Sequence, residues 1–231
     1  MLVFLHEGLG STALWKDFPR RVVKATGCAA LVYSRYGYGK SDPLREARTV
    51  DYMHREALET LPRVLEALRV DEPILIGHSD GASISIIYAG SGRQPVRGLV
   101  LMAPHVFVED ITVAAIARAK SAFESADLAV RLGRYHDDPL GAFRGWSDVW
   151  LRREFRTWNI EAFLPHIVAP VLLIQGEDDP YGTLMQIKAV ERQIAGSAQT
   201  VVLSKCAHSP HADQVGATLL AISAFVESLK R

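Results

Sequence analysis

The 231-residue chain has only two cysteines, Cys28 and Cys206, far apart and outside any CxxC spacing. That excludes a disulfide framework and suits two reduced thiols in a reducing compartment. Neither sign of charge is in excess, since 26 Lys and Arg balance 26 Asp and Glu. No basic cluster is longer than a pair, and Arg20-Arg21 and Arg152-Arg153 read as solvated helix faces. Phosphate neutralisation needs a basic stripe, so a dedicated nucleic-acid binder is excluded. No apolar run approaches the ~18 residues that span a bilayer, so no membrane segment is expected. The apolar start lacks a positive leader and is interrupted at Glu7, unlike a secretory signal, and the expected location is cytoplasmic. Gly and Pro stand near background frequency, which excludes a fibrous repeat or a disordered chain. A chain of this size hides roughly 70% of its unfolded surface, so it needs no staple. No His/Cys/Asp cluster has zinc spacing; neither a metal nor another cofactor is expected.

What the chain does have is alternation. Residues 2–5, 30–33, 74–76, 99–102, 171–174 and 200–203 are nearly all apolar, as strands covered on both faces must be. Amphipathic patterns lie between them over about 12–26, 51–69, 80–90, 183–195 and 211–230. Thr183 with Gln186 reads as a capping box, Gly196 as the stop, and Ser209-Pro210 as a second helix start. The alternation predicts an α/β fold with a mostly parallel, doubly wound sheet of about six strands. The rhythm breaks between 105 and 166, where helical periodicity continues without a strand and three of the four tryptophans fall: Trp146, Trp150 and Trp158. The predicted organisation is a core of 1–104 and 167–231 with a helical cap insertion of 105–166.

Chemistry-bearing motifs sit at the ends of these strands. Gly77-His78-Ser79-Asp80-Gly81 follows one strand and precedes a helical run. This is G-x-S-x-G in the context its mechanism demands: a tight turn lifts Ser79 off the backbone, with small residues where a Cβ would collide. A serine hydroxyl needs a base to accept its proton and a carboxylate to orient that base. Downstream strand ends carry Glu177-Asp178-Asp179 and Cys206-Ala207-His208, on the edge where open α/β sheets place their sites.

In the order Ser79, Asp179, His208, the chain resembles the α/β-hydrolase family, of the cap-bearing, single-domain type, over nearly its whole length. The resemblance implies a serine hydrolase. In the family the acid stands three residues after the glycine that ends its strand, which selects Asp179 over Asp178 and leaves Glu177 and Asp178 as solvated loop carboxylates. Glu109 is the fallback acid. The family histidine usually follows a glycine, whereas Ala207 precedes His208 here, and His211 is the weaker candidate. Leu5-His6-Glu7-Gly8-Leu9-Gly10 is similar to the family's oxyanion loop, so the implied donors are the N–H groups of Gly8 and Asp80, each contributing roughly 3–4 kcal/mol to the transition state. Glu7 stands where the family often has glycine, and its carboxylate is expected to point away; His6 is expected to be a structural hydrogen-bonder. Gly37-Tyr38-Gly39-Lys40-Ser41-Asp42 resembles the family's G-x-G-x-S turn and is not a P-loop, since Ser34 replaces the first glycine and Asp42-Pro43 blocks the helix.

The implied reaction is hydrolysis of a carboxylic ester, thioester or lactone through an acyl-enzyme. The same fold and triad also serve cleavage of a carbon–carbon bond in a diketone-like substrate, or a ligand sensor with little turnover. Gly8-Leu9-Gly10-Ser11-Thr12-Ala13 fits a dinucleotide fingerprint and makes an NADP-binding oxidoreductase the remote alternative. Trp146, Trp150 and Phe107 are the candidate substrate-binding residues, with Phe143 a further candidate; the three tryptophans share one face if their helix is continuous. His105 is expected to be structural. Capped relatives usually carry a strand pair before the oxyanion strand, and without it the 30–33 strand becomes an exposed edge. The expectation is either that the chain begins inside a longer protein or that the edge is covered, with a homodimer through that edge or the cap as one route.

Overall fold

The computed structural model describes residues 1–125 and 127–230. Six parallel strands, β1 (Leu2–Leu5), β2 (Ala30–Val32), β3 (Ile74–His78), β4 (Gly98–Met102), β5 (Val171–Gly176) and β6 (Ala198–Leu203), form one sheet in the order β2-β1-β3-β4-β5-β6. The helices are α1 (Phe18–Thr26), α2 (Tyr52–Arg55), α3 (Leu61–Ala67), α4 (Asp80–Gly90), α5 (Asp110–Ser125), α6 (Asp127–Leu132), α7 (Pro139–Trp150), α8 (Met185–Gln193), α9 (Pro210–Asp213) and α10 (Val215–Ser228).

Successive strand side chains point to opposite faces, which is why these runs had to be apolar throughout. Val3, Leu5, Leu75, Leu99, Leu101, Val171 and Leu173 join a core with Met53, Leu61, Ile84 and Ile187. Leu2, Phe4, Ile74, Ile76, Val100, Met102, Leu172 and Ile174 pack on the other side against Phe18, Val22, Ile222 and Phe225. Each buried side chain of this kind contributes about 1.5–3 kcal/mol, so slipping a strand by one residue gains nothing. The edge strands depart from the expectation of two covered faces: β2 is half-buried throughout, and Gln199, Thr200 and Val202 of β6 are exposed. Strand order reverses about β1, which has β2 on one side and β3 on the other. Such a reversal leaves a crevice outside the carboxyl ends of the strands.

Several expected boundaries move. The first helix begins at Phe18, with Pro19 in its first turn and Lys16 at φ 52°, outside helical space. No helix therefore opens at Ser11, and the dinucleotide fingerprint lacks the N-terminus that would hold a pyrophosphate. Between α2 and α3 the chain takes a π-helical turn, Glu56–Thr60, because Pro62 has no N–H to give the Leu58 carbonyl; Arg93 Nη1 serves that carbonyl at 3.2 Å. The capping box does not close: Thr183 Oγ1 accepts from Met185 N–H at 3.1 Å, while Gln186 turns to the chain after β4. Gly196 is not a helix stop, since α8 ends at Gln193; its N–H reaches Ile167 O at 2.8 Å, and a Cβ there would lie 2.6 Å from Ala169 O. The C-terminal helix is broken between α9 and α10 at Gln214, whose φ is −132°.

Candidate active site

Ser79 sits between β3 and α4 with φ 52° and ψ −117°, a backbone state that non-glycine residues avoid. Neighbouring glycines make the turn possible. A Cβ on Gly77 would lie 2.4 Å from Gly81 O, and one on Gly81 would lie 2.0 Å from Leu5 O. The raised serine meets a continuous hydrogen-bond chain: Ser79 Oγ to His208 Nε2 is 2.9 Å, and His208 Nδ1 lies 2.8 and 2.9 Å from the two carboxylate oxygens of Asp179.

Asp179 is buried; Asp178, beside it, is exposed. Gln175 Nε2 donates to Asp179 Oδ2 at 2.6 Å and Tyr181 N–H to Oδ1 at 2.8 Å, so the carboxylate is held from three sides. Burial alone would raise its pKa, but the bond and charge of His208 and the Tyr181 N–H hold it below the ordinary carboxylate value. Glu109 lies with Thr183 and Gln186, to which it is hydrogen bonded, rather than with His208. His211 packs on Trp15 with centroids 4.7 Å apart, and burial pulls its pKa down to about 3.

Gly8 and Asp80 both line the small cavity in front of Ser79. A Cβ on Gly8 would lie 2.3 Å from the Trp146 indole, so only glycine fits beneath that ring. Glu7 also lines the cavity, but its carboxylate turns toward the histidine of the G-x-S-x-G motif: Oε2 lies 3.3 Å from His78 Nδ1. Burial pushes Glu7 up, and the bond and charge of His78 more than reverse this, leaving it well below the usual carboxylate range. Burial lowers His78, yet the Glu7 bond and charge leave it raised. His78 Nε2 also lies 2.7 Å from the His208 carbonyl. With a carboxylate at one ring nitrogen and a carbonyl at the other, the imidazolium alone satisfies both. Glu7 and His78 thus clamp the loop that carries His208.

The cavity in front of Ser79 is about 110 Å³, walled by Leu9, Ile116, Trp146, Trp150 and Tyr181. Trp146 and Trp150 face it from α7. Trp158 does not: α7 stops at Trp150, a 3₁₀ turn follows over Arg153–Thr157, and Trp158 stacks on Phe155 at 5.4 Å instead. Phe107 also stays outside the lining; its backbone pairs with Asn159 and ties the chain after β4 to the chain before β5. Phe143 is buried against Phe123 at 4.0 Å. His105 lines the cavity; its ring centroid is 5.7 Å from that of His208, and burial pulls its pKa down to about 3, keeping it neutral.

The sequence carries no motif for the roles of Gln175 and Tyr181, for the bonds of Arg35 to His6 and Glu7, or for the pairing of Glu7 with His78. Gln186, expected only as a capping residue, accepts at Oε1 from Val106 N–H at 2.7 Å and donates from Nε2 to Phe107 O at 3.1 Å, anchoring the chain after β4 to α8. An available signal was the position of Arg35 just beyond an apolar strand, where a charge must find a buried partner.

The comparisons agree with this architecture. A sequence profile described as the Alpha/beta hydrolase family matches residues 2–220, and the chain belongs to that family. A proline iminopeptidase of Saccharolobus solfataricus is 33% identical over 103 residues, a stretch covering 43% of this chain and 32% of that protein. A 2-hydroxy-6-oxononadienedioate/2-hydroxy-6-oxononatrienedioate hydrolase of Cupriavidus pinatubonensis is 25% identical, over 90% of this chain and 80% of the relative. Among solved structures, an esterase from Exiguobacterium antarcticum superposes with a TM-score of 0.76 at 17% identity, over 98% of this chain and 91% of that one; at that identity the likeness shows the fold. The protein is a hydrolase-family enzyme, and among the described residues no helix is long and apolar enough to cross a membrane.

Proposed function

We propose that the protein hydrolyses a small, uncharged carboxylic ester, or the corresponding thioester or lactone, through an acyl-enzyme on Ser79. The observation that carries this is the chain Ser79 Oγ, His208, Asp179, with both hydrogen-bond links under 3 Å. His208 takes the Ser79 proton as Oγ attacks the carbonyl carbon. The oxyanion forms beside the N–H groups of Gly8 and Asp80, and collapse expels the alcohol, protonated by His208. Water then gives its proton to His208, attacks the acyl carbon and releases the acid as Ser79 regains its hydrogen. Asp179 keeps the imidazole proton on Nδ1 and stabilises the cation formed at each step.

The lining favours a neutral substrate. Among the described residues it includes no Lys or Arg, and the Glu7 carboxylate is turned to His78. A dicarboxylate such as the one named for the Cupriavidus relative would enter with its charge uncompensated. Fluorophosphonate labelling and a panel of p-nitrophenyl esters test the reading. Labelling at Ser79 with ester turnover, both lost in Ser79→Ala at unchanged folding, is the expected result; no labelling and no ester turnover by the wild type overturns it.

A further inference from the structure

Arg35 lies three residues beyond the end of β2 and is 1% exposed. A guanidinium so deeply placed carries a heavy desolvation cost; the hydrogen bonds of Arg35 run to His6 and Glu7 of the loop before Gly8, and its charge faces the Asp80 carboxylate. Its backbone N–H donates to His6 Nε2 at 3.0 Å, so the His6 proton sits on Nδ1, which donates to Glu7 O at 2.8 Å. Burial, with the charge of Arg35, keeps His6 far below its ordinary pKa and hence neutral, as this pattern requires. Arg35 Nη2 donates to the same Glu7 O at 2.9 Å and to His6 O at 3.3 Å, and Gly10 N–H reaches Glu7 O at 3.0 Å. Three donors therefore converge on one carbonyl oxygen.

That carbonyl belongs to the peptide group whose other end is Gly8 N–H. In a trans peptide the C=O and N–H point in opposite directions. Donors gathered behind Glu7 O therefore hold Gly8 N–H toward the cavity, and they polarise the peptide so that the N–H donates more strongly. The same Nη2 lies 3.8 Å from Asp80 Oδ2. Tyr52 OH donates to that oxygen at 2.5 Å and Trp150 Nε1 donates to Tyr52 OH at 3.0 Å, which carries the network to the cavity wall. Asp80 opens α4 and supplies the second N–H.

We propose that Arg35 is the positioning residue of the oxyanion hole, a buried cation that fixes the Glu7-Gly8 peptide from its carbonyl side and the Asp80 turn through its carboxylate. The proposal rests on the hydrolase reading of Ser79. Arg35 touches no reacting atom; it acts through the two backbone donors.

The test compares wild type, Arg35→Met and Arg35→Lys as full chains, using a short-chain p-nitrophenyl ester and a fluorophosphonate, with folding followed by circular dichroism. Failure of the wild type to label at Ser79 defeats the hydrolase reading itself, before any variant is considered. With the wild type labelled, Arg35→Met is expected to lose roughly 10- to 100-fold in kcat at unchanged KM, with labelling slowed in parallel. The acid limb of the kcat/KM profile should stay in place, because His208 and Asp179 keep their partners. Arg35→Lys should recover part of the loss, having the charge but not the reach to hold both partners. Unchanged kcat overturns the proposal, as does a joint change of kcat, KM and the acid limb, which would mark general loosening. If Arg35→Met does not fold, Arg35→Lys decides alone: reduced kcat at wild-type KM supports the proposal, and wild-type kcat overturns it.

Discussion

Asp178 and Asp179 are adjacent and chemically identical, and the fold gives them opposite surroundings. The first is exposed; the second receives Gln175, Tyr181 and His208. Asp179→Asn would present an amide whose NH₂ can face the imidazole, releasing the Nδ1–H tautomer, and kcat is expected to fall by about 10⁴-fold, as for an equivalent change in another serine-hydrolase triad. Asp178→Asn is expected to stay near wild type. Steady-state kinetics on one ester distinguish the two, and equal losses would mean that the carboxylate serving His208 has been misidentified. At this scale the sequence was legible where a motif is local: Gly77 to Gly81 carries its own steric logic. Glu7, His78 and Arg35 were not legible as a group. Their roles depend on three loops meeting at the carboxyl end of the sheet, and nothing in the spacing of 7, 35 and 78 encodes that meeting.

The element that shapes the cavity is α7. Its N-terminus is fixed by Asp138, whose Oδ1 accepts from Gly141 N–H at 2.8 Å, with Pro139 in the first turn. That places Trp146 over Gly8 and Trp150 beside His105. The cavity of about 110 Å³ is well under the ~300 Å³ at which ligand pockets usually begin, so the proposed ester hydrolysis would be expected to favour a short acyl group. Trp146→Ala should therefore move the preference among p-nitrophenyl esters from short toward longer acyl chains, while destabilising the fold by about 3–5 kcal/mol through lost packing. A chain-length profile that drops evenly, without changing shape, would place the acyl group elsewhere. Strands were the most legible elements, because burial on both faces admits only apolar residues. Helix ends were the least legible. Gln186 had the spacing of a capping residue, but Val106 N–H and Phe107 O, distant in sequence, offered its amide better partners. Trp158 had helical spacing from Trp150, but the chain leaves the helix between them.

At the scale of the whole molecule, buried histidines govern how the fold meets acid. Burial pulls His105 and His211 down to about 3, whereas an unfolded histidine titrates near 6.5. Between those values the unfolded chain binds protons that the folded chain refuses, so stability must fall as pH falls. The slope is about 1.4 kcal/mol per pH unit for each such group once pH is well below 6.5. His78 runs the other way, since its raised folded pKa adds stability that is complete below 6.5 and is lost only as pH rises through the folded value. Asp179 and Glu7, both lowered, hold their contribution until pH drops below the unfolded carboxylate range near 4 and then lose it toward their folded values. Acidification from about 6.5 to 4.5 is thus a histidine effect, and its combined slope is large beside a typical domain stability of about 5–15 kcal/mol. His211 allows a test away from the cavity lining: its ring sits between Trp15 and Phe18 with centroids 4.7 and 5.6 Å away, and it also packs on His78 at 4.9 Å. Denaturant unfolding of His211→Phe at several pH values should show the slope reduced by about 1.4 kcal/mol per pH unit relative to wild type. A variant with the wild-type slope would show that this histidine takes up its proton in the folded protein as it does in the unfolded chain.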